Sequence, residues 1–143
     1  WPSDGIYVRA LDAETGAVVW ENSDTVAIYM PQPHGGANAK SGVAAQGYLV
    51  VAGDRLFVPT GRAVPAAFDR HTGKLEFFHL QKYGHNGDAM AMVIDDALFN
   101  GGVAYGVDDG LQLSVLGRGP LAASRDGVVH ALSGKISAYR WAS

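Results

Sequence analysis

The chain has 143 residues, no cysteine, 17% charged residues and a formal net charge of −3. That length suits one domain with a sizeable core, the mild acidity gives no support for nucleic-acid binding, and no apolar run approaches a membrane span. Without cysteine there is neither disulfide nor thiol chemistry, and 19 glycines suit an all-β chain with many tight turns.

The opening Trp1-Pro2-Ser3-Asp4-Gly5 is not a signal peptide and does not begin with Met. The chain enters a strand almost at once and reads as a piece of something longer. The first predicted strand spans about residues 5–11, and a polar turn over 12–16 leads to a second at about 17–21. Residues 22–41 follow as a long connection. It holds the apolar run Val26-Ala27-Ile28-Tyr29-Met30 and then Pro31-Gln32-Pro33-His34-Gly35-Gly36, which reads as an irregular loop. A loop of that length in a compact fold is usually functional or disordered.

A unit of four strands comes next, at about 47–52, 55–60, 63–69 and 74–80. The first of these is apolar on both faces and is expected to be buried. Pro59 and Pro65 weaken the ladder locally and suggest bends near strand ends. A second unit follows Lys82-Tyr83-Gly84-His85-Asn86-Gly87, with strands at about 89–94, 97–100, 103–107 and 111–116. The last segment carries strands at about 121–124, 127–132 and 135–141.

The most informative feature is a repeat. Ala10-Leu11-Asp12-Ala13-Glu14-Thr15-Gly16-Ala17-Val18-Val19-Trp20 recurs as Ala67-Phe68-Asp69-Arg70-His71-Thr72-Gly73-Lys74-Leu75-Glu76-Phe77. The shared pattern is Ala-x-Asp-x-x-Thr-Gly-x-x-x-aromatic. Apolar runs on both sides of a short polar stretch ending in Gly predict a β-hairpin. The Asp carboxylate can accept hydrogen bonds from N–H groups two or three residues on. The Gly supplies the positive φ that closes the turn as a bulge. The aromatic is a plate that one hairpin cannot bury, so several sheets must sit side by side. In the second unit the pattern is eroded. Asp108-Asp109-Gly110 reads as a shorter turn, with Val115 or Leu116 where the aromatic would be, and a looser interface is expected there.

These residues resemble the docking motif of pyrroloquinoline-quinone-type (PQQ-like) β-propeller repeats. In that family Ala-x-Asp-x-x-x-Gly-x-x-x-Trp ties each four-stranded blade to the next. Ala10 to Trp20 matches at every one of these positions, and the second copy departs only at Phe77. The resemblance implies a single partial β-propeller domain over residues 1–143, with blade parts at 1–22, 44–80, 88–117 and 119–143. Propellers of this family usually have six to eight blades, and about three cannot close a ring. An open arc leaves two raw faces and unpaired edges. The resemblance therefore implies a longer natural polypeptide or chains that assemble, and an exported, periplasmic or extracellular setting.

In a propeller the fourth-to-first and second-to-third strand connections surround the mouth of the channel. On that reading His34, Arg62, His85, Asn86 and Arg118 share one face and form the candidate ligand-binding set. Each has a structural alternative: His34 bonding to loop backbone, His85-Asn86 shaping a Gly-flanked turn, Arg62 bridging blades rather than clamping an anion, Arg118 a solvated loop charge. His71 reads as solvated, His79 as a packing or surface residue, and His130 as a satisfied core histidine. Asp95-Asp96 and Asp108-Asp109 read as turn chemistry on the opposite face. The five His lack metal-ligand spacing, and calcium-loop, phosphate-loop and Ser-elbow patterns are missing from the sequence.

The first functional reading is a non-enzymatic PQQ-like binding or assembly module. It needs no cofactor and takes a protein partner or extracellular ligand, with self-association through open blade faces as a further route. The alternative is part of a quinoprotein dehydrogenase, with PQQ and Ca²⁺ oxidising an alcohol or sugar. That family's cofactor site uses an Asp base, Glu/Asn metal ligands and often a vicinal disulfide. This chain has no Cys and no clear set of that kind in the inward loops. A third reading, a polysaccharide lyase or hydrolase, would use His34, His85 and Arg62 to neutralise an acid group and move a proton.

Overall fold

Period-two side-chain alternation and Gly-closed turns organise the described part of the chain into fifteen antiparallel strands, without a helix. The computed structural model describes residues 7–24, 28–32, 37–61, 64–80, 87–117, 119, 121–132 and 134–141. The strands are β1 (Val8–Leu11), β2 (Val18–Asn22), β3 (Ile28–Pro31), β4 (Asn38–Ser41), β5 (Val50–Ala52), β6 (Arg55–Val58), β7 (Ala66–Asp69), β8 (Leu75–Phe77), β9 (Ala91–Ile94), β10 (Ala97–Asn100), β11 (Val103–Gly106), β12 (Gln112–Val115), β13 (Leu121–Ser124), β14 (Gly127–Leu132) and β15 (Lys135–Arg140).

They form five sheets of neighbours in sequence: β1-β2, β3-β4, β5-β6-β7-β8, β9-β10-β11-β12 and β13-β14-β15. None closes on itself. Both complete four-strand meanders lie where the sequence predicts them. One expectation fails: the connection over 22–41 is not simply an irregular loop. Ile28 pairs with Ser41 and Pro31 with Asn38. Half-buried Ile28 and Met30 alternate with exposed Tyr29 and Pro31, a period-two signal that the neighbouring prolines and glycines masked.

Two apolar layers hold successive sheets face to face. Val8 of the first sheet packs with Val43, Leu56, Val58, Ala66 and Phe68, and half-buried Trp20 and Leu75 lie against them. The opposite face of the β5–β8 sheet presents Phe57, Ala67 and Phe77, which meet Leu98, Val103 and Tyr105 of the β9–β12 sheet. Adjacent residues on β6 and β7 thus point to opposite layers, and both faces of that sheet are buried. The β13–β15 sheet follows, with Trp141 stacked on Phe99 at 5.8 Å.

The inner strand β5 departs from expectation. Tyr48 and Leu49, which lead into it, and Val51 on it are 72%, 54% and 56% exposed. Apolarity on both faces predicts burial only where something lies opposite: Val50 and Ala52 pack in the layer shared with the β9–β12 sheet, whereas Val51, on the other face, is exposed. Its approach to the next sheet is nevertheless tight. Tyr48 N donates to Ala89 O at 2.9 Å, and a Cβ added at Gly47 would overlap that same carbonyl.

The two edges of the row of sheets differ. Arg70 N donates to Asp54 O (2.9 Å), Val107 N to Asp96 O (3.2 Å) and Trp141 N to Asp126 O (3.3 Å). These bonds gather the first-to-second and third-to-fourth strand turns on one edge. Antiparallel order puts the β6–β7, β8–β9, β10–β11 and β12–β13 connections on the other.

Candidate functional site

His34, Arg62, His85, Asn86 and Arg118 all lie outside the described residues. Their flanks are described. Gln32 N donates to Ala37 O at 2.8 Å across the segment holding His34, and the Gln32 amide also reaches Met30 O and Ala39 O. Arg62 follows Gly61 (φ +69°), and Arg118 lies between Gly117 (φ +98°) and Gly119 (φ +139°). Near this edge an open pocket of about 450 Å³ separates β1 from β5 and β6, lined by Tyr7, Val8, Arg9, Ala45, Leu49 and Val58. The Arg9 guanidinium lies 5.9 Å over the Tyr7 ring and pairs with Glu21. Among the described residues no group of three or more His, Asp or Glu could hold a metal ion.

The best-built chemistry is on the turn edge, where the repeat places it. In the first copy Asp12 Oδ1 accepts Glu14 N (3.2 Å), Thr15 N (2.8 Å) and Thr15 Oγ1 (2.7 Å). In the second, Asp69 Oδ1 accepts His71 N (2.9 Å), Thr72 N (2.7 Å) and Thr72 Oγ1 (2.9 Å). Gly16 and Gly73 close the turns at φ +71° and +72°. The Thr hydroxyls first, and then the Thr amides, hold both carboxyls below their ordinary value of 3.8.

The third turn has the same length, not a shorter one. Gly106 stands where the other copies have Asp, and Gly110 N donates to Gly106 O at 3.0 Å as Gly73 N does to Asp69 O at 2.8 Å. Asp109 stands where they have Thr, and its Oδ1 accepts Leu111 N at 2.8 Å. A register shift follows Ala10, Ala67 and Ala104 alike. Ala10 opposes Trp20, Ala67 opposes Phe77 and Ala104 opposes Ser114. The position of the missing aromatic is therefore Ser114, not Val115 or Leu116.

Each aromatic seats on the next sheet's turn. Trp20 Nε1 donates to Arg70 O at 2.8 Å, and a Cβ added at Gly73 would overlap the indole. Phe77 does the same at Gly110, where an added Cβ would lie 2.8 Å from Phe77 Cε2. The sequence reading missed a second contact two residues further on. Asn22 Nδ2 donates to Gly73 O at 2.6 Å. His79, expected to be a packing or surface residue, stacks on Phe77 at 5.4 Å and also holds its Nε2 2.7 Å from Asp109 O. The signal was an aromatic-x-polar spacing common to both copies, written in different letters.

The remaining candidates resolve as turn and core residues. Asp95 and Asp96 form the β9–β10 turn, and Asp95 adopts the left-handed φ of +48° that Asp tolerates. Asp108 pairs with Arg55 at 2.8 Å, and Arg55 also binds Glu76. His71 is exposed beside Asp54 at 3.1 Å. His130 is fully buried on β14, a core position as expected, and neither ring nitrogen has a hydrogen-bond partner among the described residues.

No protein-family model matches the chain, and no curated protein matches it significantly.

Proposed function

We propose that the chain is an arc of a β-propeller of the PQQ-like repeat type, working as a non-enzymatic binding or assembly module of a larger exported protein. The observation that carries this reading is the doubled seat: Trp20 with Asn22 on the Gly73 turn, and Phe77 with His79 on the Gly110 turn. An aromatic on the turn glycine, with a polar side chain two residues on that reaches a carbonyl of the same turn, supports sheets that succeed one another by one repeated operation, which is how blades generate a ring. Chemistry on this scaffold then belongs to loops at the edge away from the seats, near the pocket between β1 and β6.

The test is a titration of the natural polypeptide with pyrroloquinoline quinone and Ca²⁺, followed by the quinone absorbance. The module reading expects no saturable change. A saturable change would replace it with a quinone-dependent oxidation of an alcohol or sugar.

A further inference from the structure

We infer that His130 is an acid-operated release: protonating its buried imidazole parts the β13–β15 sheet from the β9–β12 sheet. Val58, Asn100 and His130 occupy one position in three successive sheets, three residues after the start of the second strand, and all three are buried. Val58 is apolar and has nothing to satisfy. The Asn100 amide is fully used: Oδ1 accepts Asp88 N at 3.0 Å, and Nδ2 donates to Asp88 O and to Met90 O, each at 2.8 Å. His130 is polar and unmet, with neither Nδ1 nor Nε2 bonded among the described residues. An apolar side chain here, as at Val58, would leave no nitrogen unmet, so the imidazole weakens the layer it sits in.

That layer lies between two sheets that are both present. Val128 shares the His130 face of β14 and is buried, Val129 on the other face is exposed, and Trp141 beyond β15 stacks on Phe99 of β10. A Cβ added at Gly119 would lie 3.3 Å from His130 Nε2, so the backbone leading into β13 closes over the ring edge. The β9–β12 sheet turns Met92, Ile94, Ala97, Phe99, Ala104 and Ser114 towards this layer, and none of them is titratable. Within its own sheet His130 opposes Leu121 and Ser137. The titratable groups on that face of β15, Lys135 and Tyr139, are exposed, and neither is a carboxylate. Arg125 and Asp95 pair at 3.5 Å between the two sheets, but they are exposed and belong to the turns at the far end of β13.

A neutral imidazole brings one N–H donor and one acceptor nitrogen into the layer. An imidazolium brings two donors and a full charge, and the described residues offer neither an acceptor nor a countercharge. An imidazole freed into water takes up a proton near pH ~6.5. The parted state therefore binds more protons than the closed one, so closure is strongest above that pH and weakens as pH falls below it. Parting the sheets uncovers Phe99, Ala104 and Val128, an apolar surface that the closed arrangement hides. The inference needs only these two sheets and does not require that the row close into a ring.

The test is amide hydrogen exchange of the whole chain, read by mass spectrometry about one unit above and about one unit below pH ~6.5, with exchange times scaled for the intrinsic effect of pH. Peptides covering β13–β15 should lose about tenfold in protection between the two conditions, the ratio expected when only the parted state takes up the proton. Peptides covering β5–β8 should keep theirs and serve as the reference. The loss should vanish in His130→Met and in His130→Gln, which keeps a polar group but takes up no proton. If one variant fails to fold, the other carries the comparison. Equal protection of β13–β15 in the two conditions, a loss shared equally by β5–β8, or a loss that survives either substitution overturns the inference.

Discussion

The sharpest consequence of the seated turns is a contrast between two glycines of the same conformation. Gly16→Ala and Gly73→Ala each force Ala into a left-handed φ, at +71° and +72°. That conformation costs about 1–2 kcal/mol for a residue with a Cβ. At Gly16 the cost ends there, because the new methyl meets nothing within 4 Å. At Gly73 the methyl displaces the indole of Trp20 and with it the bond from Nε1 to Arg70 O. The hydrogen bond contributes about 0.5–1.5 kcal/mol. Burial of a half-covered indole adds about 0.75–1.5 kcal/mol, roughly half the value for a fully buried large side chain. Gly73→Ala should therefore destabilise by about 2 kcal/mol more than Gly16→Ala, taking the middle of these ranges. Urea unfolding of both variants, followed by tryptophan fluorescence and circular dichroism, gives the difference directly. Equal losses at the two positions would refute the argument that Trp20 holds the sheets together.

Three further outcomes are expected. The carboxyls of Asp12 and Asp69 titrate below 3.8 in the fold. A depressed folded value means their contribution is fully present above 3.8 and disappears as pH falls through the lower value. Melting temperature should drop below about pH 4, less steeply in Asp69→Asn, and an unchanged slope in that variant would count against the Thr72 bonds. Gly47→Ala drives a methyl into Ala89 O and disturbs the Tyr48 N bond, so a loss of about 1–3 kcal/mol in urea unfolding is expected, and a neutral effect would contradict the close crossing. His130→Met removes two buried ring nitrogens that lack partners among the described residues. Its stability should match or exceed the parent by about 1 kcal/mol in the same assay, whereas a large loss would indicate that the imidazole is bonded.

Strand order and both complete meanders were legible from apolar alternation and Gly-closed turns, because those signals are local. The Asp-to-amide bonds and the left-handed Gly of the two Asp-Thr-Gly turns were legible, since a carboxylate two or three residues before unpaired N–H groups has little else to do; the Thr hydroxyl bonds were not read. The third turn was misread because Gly106 removes the carboxylate while keeping the backbone path. Its length and the Ser114 position emerge only from pairing. Exposure of Tyr48, Leu49 and Val51 was not legible, because burial of an inner strand depends on what stands opposite. Asn22 and His79 were hidden because two different side chains serve one purpose, a polar contact with the neighbouring turn. The loop-edge set His34, Arg62, His85, Asn86 and Arg118 lies outside the described residues.

The most direct test of the propeller reading is the native mass of the polypeptide as its source makes it, measured by native mass spectrometry across concentrations. Six to eight blades of about 40–45 residues need at least about 240 residues, whether on one chain or by assembly. The account expects an assembled mass well above the 15.0 kDa of these 143 residues. A particle of 15.0 kDa that stays folded and single at every concentration would contradict it.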